Sequence, residues 1–203
     1  MHKTIKSDKD GANIMIDQEI ITTDREHSLI KYTVSNGNGF SFSCLNYGAA
    51  LTSITMPDKN GEISNILLSF DRPDDFIDDQ TYFFGKPIGR VGGRICDGSC
   101  NIEGQNYQLP QNEGKNTLHG GKNGFHHLWW DATEIENGIQ FTKLIDSNVD
   151  SFPGTIEVTI TYKWDADNRI HIDFKGLNQS DIATLFNPTL HSYFNLNNDK
   201  KNG

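Results

Sequence analysis

The sequence predicts an all-β chain of antiparallel sheets, arranged as a sandwich or barrel. Three observations carry that expectation. Few segments show helical periodicity. Nine short runs are rich in β-branched and aromatic residues, and Gly, Asn and Asp turn clusters separate many of them. The 203 residues suffice for one sizeable core, and neither a linker composition nor a fixed-period repeat divides them. A single domain over residues 1–203 is therefore expected.

Residues 28–35, 39–46, 51–56 and 63–70 read as the first four strands, with turns at Asn36-Gly-Asn-Gly39 and Asp58-Lys-Asn-Gly61. Residues 106–109, 129–135 and 139–145 follow, and Glu136-Asn-Gly138 joins the last two. Residues 155–164 and 169–177 both alternate apolar with polar, with Asp165-Ala-Asp-Asn168 between them, so they read as a hairpin. The alternation places Ile156, Val158, Ile160 and Tyr162 on one face, opposite Ile170, Ile172 and Phe174. His171 falls on the other, polar face. His27, His126 and His127 sit among polar or turn residues and read as exposed in the same way. Trp129, Trp130 and Trp164 read as core.

The net charge of −9, from 18 Lys+Arg against 27 Asp+Glu, argues against a nucleic-acid backbone or an anionic membrane as partner. The acidic run at residues 71–79 reads as a solvated loop, since EF-hand spacing is absent. No stretch approaches the roughly 20 apolar residues of a membrane span. The charged N-terminus lacks the apolar region of a secretory signal. Three cysteines, Cys44, Cys96 and Cys100, then suggest a reducing cytoplasm. Cys96 and Cys100 do not have zinc-knuckle spacing and read as small apolar groups, so no metal is expected.

Chemistry-bearing residues gather in three segments. Residues 85–94 contain four glycines, Gly93 among them, with Arg90 and Arg94, but have no Gly-Lys-Ser/Thr ending and no strand–helix context for a dinucleotide fingerprint. Arg94 reads equally as a ligand contact or as one half of a structural ion pair. His119 lies on an irregular loop, Asn116-Thr-Leu-His-Gly-Gly121, where a structural histidine is the plainer reading. His191 stands in Asn187-Pro-Thr-Leu-His-Ser-Tyr-Phe-Asn-Leu196. Pro188 holds Asn187 extended, and the apolar neighbours would hold the imidazole rigidly, as a general acid requires.

Five segments in order carry a specific resemblance: Asn46-Tyr-Gly-Ala-Ala-Leu51, Ile88-Gly-Arg-Val-Gly-Gly-Arg-Ile95, Asn116-Thr-Leu-His-Gly-Gly121, Phe152-Pro-Gly154 and the segment 187–196. The chain resembles the aldose 1-epimerases (mutarotases) of the galactose mutarotase type. The resemblance implies a large antiparallel β-sandwich with an open sugar groove. It implies that Arg94 and His119 bind sugar hydroxyls, with Gly93 where relatives often have Asn. It further implies that His191 is the general acid, and that Ser192 and Tyr193 follow it along the groove. The implied reaction interconverts the α and β anomers of galactose or glucose, without metal or organic cofactor. Acid at the ring oxygen and a carboxylate base at the C1 hydroxyl open the ring. In the family, that glutamate and a sugar-binding aspartate lie downstream of the His-Ser-Tyr-Phe motif. Asp173 and Asp181 match neither, and residues 197–203 read as a loop leading to another strand. The expectation is thus a truncated fold with the acid half of the site and weak activity. A non-catalytic carbohydrate-binding module, or a fragment completed by a partner chain, is the alternative.

Overall fold

The computed structural model describes residues 3–7 and 13–197. Sixteen strands are assigned. The first six are β1 (Lys3–Ser7), β2 (Asn13–Thr23), β3 (Ser28–Ser35), β4 (Ser41–Leu45), β5 (Leu51–Pro57) and β6 (Ile63–Asn65). They form one antiparallel meander in sequence order. Five short strands follow: β7 (Pro87–Ile88), β8 (Arg94–Ile95), β9 (Ser99–Ile102), β10 (Gln105–Gln108) and β11 (Thr117–Leu118). The second large sheet is again a meander, of β12 (Asp131–Ile135), β13 (Gly138–Ile145), β14 (Ile156–Trp164) and β15 (Ile170–Asn178). The last strand, β16 (Thr189–Leu190), pairs back with β7. Among the described residues the α-helices are two single turns, Asp75–Asp78 and Ser147–Asp150, and no helix there is long and apolar enough to cross a membrane.

The two large sheets pack face to face. On β14 every second residue from Ile156 to Trp164 is buried. Against this row stand Tyr32, Val34, Phe42 and Cys44 from β3 and β4. Tyr32 meets Phe141 edge-on at 6.1 Å, and Phe42 meets Trp164 at 5.9 Å. Hydrogen bonds also cross the sandwich, among them those from the Tyr162 hydroxyl to the Ala49 carbonyl (2.9 Å) and from Trp164 Nε1 to the Val34 carbonyl (3.4 Å). Burial of these rows is the main stabilising term, because apolar area is removed from water on both inner faces.

The predicted hairpin is β14–β15, with Ile160 opposite Phe174 and Tyr162 opposite Ile172. His171 is exposed and 2.7 Å from Asp165. The run 63–70 is a strand only to Asn65. Beyond it the chain turns to the tail, where the Leu68 amide donates to the Tyr193 carbonyl and Leu67 bridges Phe194. β2 was not anticipated, since its apolar residues are interrupted by Asp17, Gln18 and Glu19. Two further expectations are corrected. Asp79, in the supposedly solvated acidic run, is buried, and so is His126. Both residues gain specific neighbours, described next.

Candidate functional site

Beside the sandwich, the segment 85–94 acts as a common spine for two loops. The His191 amide donates to the Lys86 carbonyl (3.0 Å), and the Gly85 amide donates to the His191 carbonyl (2.9 Å). The Asn187 amide donates to the Arg90 carbonyl, and the Gly92 amide donates to the Asn187 carbonyl. On the other side, the His119 amide donates to the Gly93 carbonyl, and Leu118 pairs with Arg94 across β11 and β8. Residues separated by about seventy positions are thereby fixed to one stretch of backbone, and their rings come within contact. The His119 and His191 imidazoles stand edge to face, 5.3 Å between centroids.

The Gly93 amide donates to His119 Nδ1 at 3.1 Å. A donor at Nδ1 means that this nitrogen carries the lone pair, so the neutral ring holds its proton on Nε2. Burial, with the neighbouring His191 and Arg94, pushes the His119 pKa down, which favours that neutral form. Tyr193 lies against the other side of His191, 5.0 Å between rings, while Ser192 Oγ is buried without a hydrogen-bond partner.

Arg94 is more than half exposed and forms a bidentate pair with Glu113, with Nη2 to Oε1 at 2.6 Å and Nε to Oε1 at 3.0 Å. Asn116 also donates to Glu113. These hydrogen bonds, led by that from Arg94, hold the Glu113 pKa down to about 2. Arg94 is thus one half of an ion pair whose side chain is still exposed enough to meet a ligand.

Arg90 has a different job. It is wholly buried and donates to Asp150 Oδ2 (2.7 Å) and Oδ1 (3.1 Å). It donates further to the carbonyls of Ile145, Pro153 and Gly154 and to Thr184 Oγ1. The segment Phe152-Pro-Gly154 is therefore a receptor for this guanidinium, and Phe152 also faces it at 5.7 Å.

Sequence reasoning missed four neighbours of the histidines. Phe83 touches His119, His126 and His191 with ring centroids 5.5, 4.9 and 5.9 Å apart. Buried His126 has its pKa pushed down to about 2, chiefly by burial, and its Nδ1 has no hydrogen-bond partner. Asp79 and Lys86 form a buried pair behind Phe83. Only the unusual aromatic run 82–84 could have signalled this from sequence. A cavity of about 660 Å³, lined in part by Lys31, Asn65, Phe70, Asp71 and Asn195, contains none of the histidines. The imidazole cluster, in which the pKa values of His119 and His126 are lowered, is the better candidate site.

Residues 31–202 match the family model described as aldose 1-epimerase. Maltose epimerase of Levilactobacillus brevis is 35% identical over 180 residues, covering 86% of this chain and 52% of that protein. Human galactose mutarotase is 34% identical over 152 residues, covering 75% of this chain and 43% of that protein. The crystal structure of a GalM/aldose epimerase homologue from C. elegans superposes with a TM-score of 0.77 at 30% identity, covering 82% of this chain and 51% of that one. The chain spans about half the length of the curated relatives it matches.

Proposed function

The chain belongs to the aldose 1-epimerase family, and on that premise we propose that the His119–His191 cluster is the sugar-binding and general-acid half of a mutarotase site for an aldohexose such as galactose or glucose. His191 would donate a proton to the ring oxygen, and Arg94, Gly93 and His119 would hold the hydroxyls, with Ser192 and Tyr193 along the same groove. As the C1–O5 bond breaks, the C1 hydroxyl gives up its proton to a base; the C1–C2 bond rotates, and the C5 hydroxyl attacks the other face of the aldehyde, its proton returning to His191 as O1 regains its own. A cytoplasmic role in hexose metabolism fits this reaction.

The observation that carries the proposal is the pairing of two imidazoles, one of them fixed as an Nε2–H donor by the Gly93 amide. A neutral donor suits a neutral polyol, and an arginine adds stronger, charge-assisted hydrogen bonds. Orientation of this kind supplies much of a proton-transfer catalyst's effect.

The base is another matter. Glu113 accepts hydrogen bonds from Arg94 beside this cluster, and its pKa, held down to about 2, makes it too weak to take a proton from a hydroxyl near neutrality. That observation favours a second reading for the 203 residues by themselves, as a carbohydrate-binding unit of low turnover. Calorimetry with galactose and glucose, alongside polarimetry on fresh α-anomer, separates the two. Sugar-dependent heat with little acceleration is expected. No heat with either sugar would overturn the site, and rapid mutarotation would overturn the low-turnover reading.

A further inference from the structure

We infer that Phe83 is a positioning residue of this site, held in place by a dedicated buried clamp, and that it fixes the mutual orientation of His119 and His191. The inference deepens the proposed sugar site, but its test does not depend on turnover.

The clamp is built from Asp79 and Lys86, whose side chains are 1% and 0% exposed. Asp79 accepts three successive amides: Thr81 (3.0 Å) and Tyr82 (2.8 Å) at Oδ1, and Phe83 (2.7 Å) at Oδ2. Lys86 Nζ lies 3.7 Å from Asp79 Oδ2 and donates to the Phe76 and Asp79 carbonyls. Its own amide donates to the Phe83 carbonyl. A carboxylate and an ammonium are expensive to desolvate, so a pair spent on shaping one loop points to a geometric requirement.

The loop delivers Phe83 in the left-handed region, at φ +54, which a non-glycine residue adopts only when its surroundings impose it. The ring then meets three imidazoles, as given above. Its plane is 75° to His119, 81° to His126 and 51° to His191. One aromatic edge thus limits the rotation of each ring. The carbonyl of Lys86 also receives the His191 amide, so clamp, Phe83 and His191 move as one unit. His119 is tied to that unit through Phe83, and to Gly93 through its own Nδ1.

The test uses the 203-residue chain, isotope-labelled, as wild type and as Phe83→Ala, Phe83→Leu and Phe83→Tyr. Hydrogen exchange of the Gly93 amide reads the bond to His119 Nδ1, and imidazole nitrogen spectra read the His119 tautomer. The Ile160 amide, deep in β14, reports overall stability. In Phe83→Ala, Gly93 exchange should rise about fivefold, the population change that one ordinary hydrogen bond supports. His119 should lose its single tautomer while Ile160 keeps its rate. Phe83→Tyr should behave as wild type, and Phe83→Leu, which keeps apolar bulk, should show the same loss if the alanine variant does not fold. An unchanged Gly93 rate and tautomer, or a rise shared equally by Ile160, would overturn the inference. Failure of wild type to bind galactose would instead count against the sugar site alone.

Discussion

The two arginines of the segment 85–94 should respond oppositely to the same substitution. In Arg90→Met, the buried Asp150 carboxylate keeps only backbone amides as partners, its own and that of Phe152 (3.1 Å). Carbonyls of Ile145, Pro153 and Gly154 lose their donor as well. Breaking a buried ion pair by removing one partner costs about 3–5 kcal/mol, because the surviving charge stays desolvated. The orphaned carbonyls place Arg90→Met at the upper end of that range. For a chain of this length, the melting temperature should fall by roughly 6–20 °C. Arg94→Met removes only an exposed pair with Glu113, of the kind that contributes little to stability. It should melt like the wild type yet lose most of its heat of galactose binding. Urea unfolding followed by the fluorescence of buried Trp130 and Trp164 gives the free energies directly. Adding Asp150→Leu to Arg90→Met should recover part of the loss, since no unpaired charge then remains. The reasoning fails if Arg90→Met stays within about 1 kcal/mol of wild type, or if Arg94→Met unfolds as early.

Acid should weaken the fold before the carboxylates titrate. The His126 pKa is about 2 when folded and about 6.5 when unfolded, so its contribution is complete above pH 6.5 and is lost as pH falls toward 2. The slope is about 1.4 kcal/mol per pH unit, or about 2 kcal/mol by pH 5. Urea titrations at pH 7.5 and pH 5 would read it, and His126→Phe should flatten the difference; an equal loss in that variant would refute the assignment. Gly85→Ala should destabilise by more than about 1 kcal/mol, since its Cβ would sit 1.9 Å from the Leu51 carbonyl oxygen at φ +58. Thermal unfolding checks this, and an unchanged midpoint would be contrary.

The fold was legible where one face of a strand is buried and the other wet. β14 and β15 alternate cleanly, and the register pairs the expected faces. β2 was not legible, because its fully buried apolar residues are confined to Ile14 and Ile16 at one end, while its centre carries Asp17 and Glu19. Of the candidate site, His119 and His191 stand out in the sequence because each lies in a segment dense with glycine, proline or aromatic residues. Their supports do not. Asp79 belongs to a run that looks solvated, and its burial depends on Lys86 arriving from seven residues away. His126 looks like a turn residue, yet Phe83 and the buried Phe125 fold over its neighbourhood. Arg90 and Arg94 are indistinguishable by spacing alone. Burial separates them, and burial is a property of the assembled sandwich.

Neither site histidine stands on a large sheet, so something other than strand register must place them. The structure supplies a spine whose middle is nailed down by Arg90. His119 joins it at Gly93, and the segment leading to His191 joins it at Arg90, Gly92 and Lys86. Close approach requires glycine here. A Cβ on Gly120 would meet the Gly89 carbonyl oxygen at 1.9 Å. A guanidinium whose five N–H groups are spread over six acceptors is satisfied in one orientation, whereas an aliphatic side chain of similar size packs acceptably in several. The buried ion thus sacrifices some stability potential for a defined backbone path. If that is its use, the Arg90→Met/Asp150→Leu pair should regain stability without regaining sugar binding. Recovery of both together would mean that apolar packing alone can hold the two imidazoles at their separation.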